Sequence, residues 1–345
     1  MDKRLILSVA GSGKTAYVVN LLNKNQRFLI VTYTDNNYAN IRERILLKFN
    51  GIWPTNVYVY TYFKLLSDLF YKPLFSCVHK YTGLEYNLKP PLKIRSDCWS
   101  FYVTKYNKFY SNRLAGLLSL PNYLPEVIKR LEKYFDYFIV DEVQDLAARD
   151  FNFLERLMTA HLNMIFVGDF YQHTYDTSSD GNVNKSLFEN EIKYKDRFRK
   201  QGIKVDEETL RKSWRCPESV CVFIRTKLGI KIESERSDES SFIGIIDDEQ
   251  KINEIIGDPT IIKLHYQNSL KYGINHKNWG DSKGEDCYED VCVLLNKNTY
   301  KAFMNETLNQ LSPSTRNKLY VAITRSRHNV YFIEENKACK FMKEV

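Results

Sequence analysis

Three short stretches of this 345-residue chain carry residue types and spacings suited to phosphate chemistry. Residues 10–15 read Ala-Gly-Ser-Gly-Lys-Thr, after an apolar run and ahead of a helical pattern. Glycines let a backbone wrap tightly, so the N–H groups of Ala10, Gly11, Ser12 and Gly13 can face phosphate oxygens at a helix N-terminus. Lys14 is expected to reach the β- and γ-phosphates, and Thr15 to hold Mg²⁺. The first glycine of the usual Gly-x-x-x-x-Gly-Lys-Thr loop is replaced by Ser8, which fits only with a negative φ. The second stretch is Asp141-Glu142-Val143-Gln144-Asp145, directly after the apolar run 137–140. Asp141 is expected to bind the metal, and Glu142 to orient and deprotonate an attacking water. The third, 168–172, ends in Gln172, placed to sense the γ-phosphate. ATP with Mg²⁺ is the expected substrate, and hydrolysis the expected reaction.

Arginines are the best donors to a γ-phosphate from a second surface, because the guanidinium fork matches phosphate oxygens. Arg215, in LRKSWR, and Arg325, in LYVAITRSR, are the candidates. Trp214 could stack on the adenine. Gly280-Asp281-Ser282-Lys283-Gly284 could present backbone donors to a nucleic acid.

These groups need a scaffold, and the chain predicts one. Strands are expected at 5–9, 28–32, 57–60, 137–140 and 164–167, alternating with helices at 16–22, 39–49 and 63–70. That rhythm is a parallel sheet with helices on both faces, and ligands of such sheets sit at the carboxyl ends of the strands. Proline-punctuated residues 71–130 read as a small helical insert, and the polar stretch 176–209 as a boundary. Beyond it, strands are expected near 242–246, 260–264, 291–295 and 330–333, with helices near 215–228, 299–311 and 315–323.

Length suggests two domains. The net charge of +8 suits a polyanionic partner. Seven cysteines lack zinc-ligand spacing, and the five-residue apolar run near the N-terminus is too short for an export signal or a membrane span. A reducing, cytoplasmic setting without membrane attachment is therefore expected.

Taken in order, the motifs resemble those of superfamily 1 helicases of the UvrD/Rep-like group. AGSGKT (10–15) resembles their phosphate loop. TYTDN (32–36), continuing to Arg42, resembles TFTN…R, and VYTYF (59–63) the following T-x-x-F strand end. DEVQD (141–145) resembles DExxD, GDFYQHTY (168–175) GDxxQxIY, and LRKSWR (210–215) L-x-x-NYR. GDSKGEDCYEDV (280–291) resembles SKG-x-x-FDxV, and LYVAITRSR (319–327) LYVAxTRAx.

The resemblance implies an α/β protein with two RecA-like P-loop NTPase cores: residues 1–70 with 131–190, and residues 191–345, the insert at 71–130 being a reduced accessory domain. It also implies ATP between the cores and single-stranded DNA across their tops, with 3′ to 5′ movement. Gln172, Arg215 and Arg325 would contact the γ-phosphate region, and Thr32, Tyr33, Thr61, Tyr62, Ser282, Lys283 and Gly284 the nucleic acid. Only nine residues precede the AGSGKT run, so the family's adenine-recognising glutamine has no counterpart there. The 64 residues between Arg215 and Gly280 leave no room for the large second accessory domain. Thr177 stands where a base-stacking tryptophan usually follows the tyrosine matched by Tyr175.

The expected activity is ATP-driven translocation or unwinding on single-stranded DNA, with RNA as the other strand to consider. Two alternatives stay open. One is a nucleic-acid-stimulated ATPase subunit, with a nuclease or other protein partner, in a defence or repair complex. The other is a non-hydrolysing binding switch, which the full set of catalytic residue types disfavours.

Overall fold

Short runs of β-branched and aromatic residues build a six-stranded sheet from β1 (Lys3–Ser8), β2 (Phe28–Thr32), β3 (Val57–Thr61), β4 (Tyr137–Asp141), β5 (Asn163–Gly168) and β6 (Lys204–Leu210). The spatial order is β3-β2-β4-β5-β1-β6, and the pairs β2–β3, β2–β4 and β4–β5 are parallel. The computed structural model describes residues 1–77, 80–91, 94–174, 183–184, 186–237, 241–285 and 287–342. All five residues of β2 are buried, as expected of a central strand covered on both faces.

Helix α1 (Lys14–Leu21) follows the glycine loop. Helix α2 (Asp35–Lys48) starts four residues before the predicted 39, because the Thr34 side chain accepts a hydrogen bond from Asn37 N at 3.2 Å and caps it. The predicted helix at 63–70 opens at Tyr62 and widens into a π-helical segment, Leu65–Tyr71. Helices α3 (Ala148–Leu157) and α4 (Glu191–Lys200) complete this part. The insert contains helices Leu114–Leu118 and Leu124–Tyr134, and also a short parallel pair, Gly83–Glu85 with Lys108–Tyr110. Its core is aromatic: the Phe75 ring lies 5.0 Å from Phe109 and 4.8 Å from Tyr123.

The chain divides into two compact units. The first comprises Met1–Ile6, Thr15–Gly168 and Asp176–Asp206; the second comprises Leu7–Lys14, Asp169–Tyr175 and Glu207–Val345. The first unit runs past the predicted limit of 190 because α4 belongs to its core. Tyr194 and Phe198 lie 5.7 and 5.6 Å from Phe151, and Phe198 lies 5.7 Å from Phe166.

The second unit holds a five-stranded, wholly parallel sheet of β7 (Ile243–Ile245), β8 (Ile262–His265), β9 (His276–Asn278), β10 (Val291–Leu295) and β11 (Val330–Glu334). Its order is β7-β11-β10-β8-β9. Along β10, Val291, Val293 and Leu295 enter one apolar cluster, while Cys292 and Leu294 enter another on the opposite face. Helix α5 (Pro313–Ile323) packs into the first of these clusters; Pro occupies its first turn, and the Ser312 side chain caps it. The protein thus has two tandem RecA-like α/β domains with parallel sheets and helical insertions.

Candidate functional site

Ser8 closes β1 as a strand residue, in the extended conformation that its replacement of glycine required. The loop that follows turns through Gly11 (φ +70°) and Gly13 (φ +83°). Both lie in the region that favours glycine. At Gly11 there is a second constraint: a Cβ would stand 2.5 Å from Arg215 Cβ and 2.8 Å from Ser213 Oγ. Gly13 has nothing within 4 Å of its would-be Cβ. Ser12 Oγ is buried without a hydrogen-bond partner. A glycine turn with positive φ at two residues and an unsatisfied buried hydroxyl suits a phosphate group.

The second unit, which includes this loop, holds it at several points. Val9 N donates to Leu210 O at 3.1 Å, and Trp214 N to Gly11 O at 2.9 Å. Ala10 N donates to the Tyr320 hydroxyl at 3.0 Å, and that hydroxyl donates to Asp169 Oδ2 at 2.9 Å. Burial, reinforced by the Asp169 charge, pushes the Tyr320 phenol well above its usual pKa, so it keeps the proton it donates. One tyrosine of LYVAITRSR therefore joins the glycine loop to the aspartate of GDFYQHTY. No local sequence pattern marks it for this role. The Trp214 side chain is 66% exposed, which leaves its indole open for stacking beside the loop.

In the first unit, the Thr15 hydroxyl donates to Asp141 Oδ2 at 3.3 Å. The two sit at the start of α1 and the carboxyl end of β4, and form the oxygen pair that Mg²⁺ favours. Glu142 has left-handed backbone (φ 57°, ψ 48°), a strained state for a side-chain-bearing residue, and its N–H is held by Asp141 Oδ1 at 3.1 Å. The Gln144 amide donates to the Glu142 carboxylate. Gln144 is 1% exposed and occupies a position that the DExxD pattern leaves open. Its spacing two residues beyond Glu142 was the available signal.

Gln172 is buried in the turn Phe170–Gln172, which the Asp169 side chain caps. Arg215 Nη1 donates to Thr324 O at 3.0 Å, next to Arg325 in sequence. Arg325 itself is 1% exposed. Its nitrogens are engaged by the carbonyls of Val321 at 3.1 Å and Glu285 at 3.1 Å, with Ser282 O at 3.5 Å. The structure therefore brings the Arg215 side-chain base beside the glycine loop and ties Arg325 Nη1 to the carbonyls of the 282–285 segment. Arg236, which no motif marks, donates to the carbonyls of Arg215 and Arg327.

Thr32 and Thr61 are register partners at the carboxyl ends of β2 and β3. Thr32 is buried, and Thr61 caps the next helix by accepting from Lys64 N. Tyr33 is 36% exposed, whereas Tyr62 is buried and its hydroxyl donates to Asp150 Oδ1 at 3.2 Å. Ser282 is fully buried, its hydroxyl donating to Trp279 O, so its side chain faces inward while Gly284 is exposed. Exposed Phe63 and Tyr86, 5.9 Å apart, add an aromatic pair to this unit that sequence reasoning missed. Tyr175 and Thr177 lie outside the described residues.

Burial pushes the Asp150 carboxyl up to about 7, the Tyr62 hydrogen bond opposing only part of that rise. Because the folded pKa lies above the unfolded one, this group's contribution to stability is complete at acid pH and disappears as pH rises through about 7. Asp150→Asn should therefore raise the melting temperature relative to wild type at about pH 8, and lose that advantage only below the ordinary carboxyl range, at about pH 3.5. Thermal melts at the two pH values check this; an advantage independent of pH would remove Asp150 as its source.

Two family models match the chain. One describes an AAA domain and covers residues 2–178; the other describes a viral superfamily 1 RNA helicase core domain and covers residues 117–334. The chain belongs to the viral superfamily 1 RNA helicase core domain family. It is a P-loop NTPase of superfamily 1 helicase type, and its domains are those of an ATP-hydrolysing enzyme. The UvrD/Rep-like assignment is corrected by this match: the motif order is common to superfamily 1, but the family is the viral one. The expectation of 3′ to 5′ movement, which rested on that group, loses its support.

Among solved structures, an Arterivirus nonstructural protein 10 (helicase) is 13% identical, with a TM-score of 0.51 over 99% of this chain and 62% of its own. A complex of Arterivirus nonstructural protein 10 (helicase) with DNA is also 13% identical, with a TM-score of 0.50 over 96% of this chain and 61% of its own. At that identity the likeness concerns the fold. The chain spans about six tenths of the length of those proteins. No curated protein matches it. Among the described residues, no helix is long and apolar enough to cross a membrane.

Proposed function

We propose that this helicase-family chain is an ATP-driven motor on single-stranded nucleic acid. Thr15 and Asp141 would hold Mg²⁺, Lys14 and the loop 10–13 the phosphates, and Trp214 the adenine. Glu142 would orient and deprotonate the water that attacks the γ-phosphate. Bound Mg²⁺ would neutralise charge developing on the phosphate oxygens. The observation that carries the reading is the meeting of Thr15 and Asp141 at 3.3 Å, one residue before a Glu142 fixed by its own backbone and by Gln144.

Net charge of +8 and an exposed Tyr33 beside the β2–β3 strand ends support a strand of nucleic acid as the partner. The matched family is described for RNA, and one similar helicase was solved with DNA, so both enter the test. ATP hydrolysis measured with and without single-stranded DNA, single-stranded RNA and tailed duplexes should rise with at least one single strand. Added salt should weaken that strand's binding. Hydrolysis indifferent to every strand would overturn the proposal.

A further inference from the structure

Tyr266, Gln267, Asn268, Asn278, Gly280 and Lys318 line a cavity of about 260 Å³ in the second unit. Four of them directly follow or close two adjacent parallel strands, β8 and β9, so the cavity opens where ligands of parallel sheets bind. It is smaller than the roughly 300–1,000 Å³ of sites that take whole drug-sized molecules. A single planar ring is the right scale.

The lining is chemically mixed in a particular way. Among the described residues it has one aromatic ring, three carboxamides, one ammonium and no carboxylate. Tyr266 is backed by the fully buried Trp279 at 5.3 Å, edge to face, and the Trp279 ring nitrogen is tied to Leu264 O at 2.9 Å. The platform is thus rigid before anything binds. Asn278 is fixed as a wall: its Oδ1 accepts from Ser269 N at 3.0 Å, and its Nδ2 donates to Asp281 Oδ2 at 2.7 Å. Gln267 and Asn268 are exposed, and each offers both donors and an acceptor. The Lys318 ammonium rests over the Tyr266 ring, 5.5 Å from its centre, at the end of a flexible stem.

An ammonium on a long stem beside an aromatic ring is placed to meet the phosphate of a nucleotide whose base stacks on that ring. Carboxamides meet a base edge with paired donors and acceptors. A free anion would have only one ammonium here, and an apolar ligand would have three amides to desolvate.

We propose that this cavity is a subsite for one base of the bound single strand. Tyr266 is its stacking platform, Gln267 and Asn268 its edge contacts, and Lys318 its phosphate contact. The proposal rests on the reading of the chain as a single-strand motor and extends the nucleic-acid surface beyond Lys283 and Gly284.

The test compares binding of a labelled single-stranded oligonucleotide with an abasic oligonucleotide of the same length, by anisotropy at fixed salt. Wild type should prefer the base-bearing strand by about tenfold. Tyr266→Ala should cut that preference severalfold, and Tyr266→Phe should keep it. Lys318→Ala, which leaves the platform in place, should lower the slope of log affinity against log salt by about one; this arm holds even if Tyr266→Ala fails to fold. A Tyr266→Ala protein that keeps the full preference, a wild type with no preference, or an unchanged slope in Lys318→Ala would each overturn the subsite. Failure of wild type to bind either strand would instead bring down the motor reading itself.

Discussion

Glu142→Gln should bind ATP as wild type does and turn it over about 10²–10⁴ times more slowly. The substitution is nearly isosteric. Its amide oxygen can still accept from Gln144 Nε2, the bond the carboxylate now makes, and its N–H can still reach Asp141 Oδ1. The left-handed backbone and the Thr15–Asp141 pair are therefore preserved. Only the ability to take a proton is lost. Equilibrium binding of a fluorescent ATP analogue, set beside steady-state hydrolysis with a saturating single strand, separates the two effects. Turnover at the wild-type rate would remove Glu142 as the base. Joint loss of binding and turnover would mean that it holds nucleotide instead.

Gly168→Ala should lower kcat about 10²-fold through a residue that touches no substrate. A Cβ at Gly168 would stand 2.3 Å from Gln144 Oε1, 2.9 Å from Val143 Cγ1 and 3.2 Å from Val143 N. The amide end could rotate away, but Gln144 is buried and has little room, and the backbone of Val143 cannot yield without moving Glu142. The substitution should therefore break the Gln144–Glu142 bond and misplace the base. Gly168 thus acts as a positioning residue, which leads to a second expectation. Combined with Glu142→Gln, Gly168→Ala should add almost nothing, because both changes disable the same group. Hydrolysis by the two single variants and the double variant checks this. Independent, multiplying losses would mean that Gly168 acts elsewhere, for example by unfolding the β5 end.

Local chemistry was readable where neighbours in sequence are also neighbours in space. The loop at 10–15, the carboxylates at 141–142 and the apolar runs of β2, β4 and β10 follow from glycine's φ range, strand periodicity and burial on both faces. Where amphipathic elements are mostly polar, reading failed. α4 (EIKYKDRFRK) lies in the polar stretch that reads as a boundary, yet Tyr194 and Phe198 sit one turn apart and fill the first core. β6 (KVDEETL) carries too few apolar residues to be read as a strand, but an edge position exposes one side and tolerates them. The family within superfamily 1 was also misread, since motifs shared across the superfamily do not separate its branches.

The sequence by itself determined the P-loop NTPase class and the segments proposed to carry its chemistry, because a glycine loop and an acidic strand end are built from short contiguous segments whose backbone demands only certain residues can meet. Tertiary structure alone decided which long-range partners hold those groups. Tyr320 reaches Ala10 across 310 positions, Gly168 makes room for Gln144, and Arg325 turns to the carbonyls of the 282–285 segment. Such contacts depend on how sheets and helices stack, and a tyrosine, glycine or arginine has the same letter wherever packing sends it.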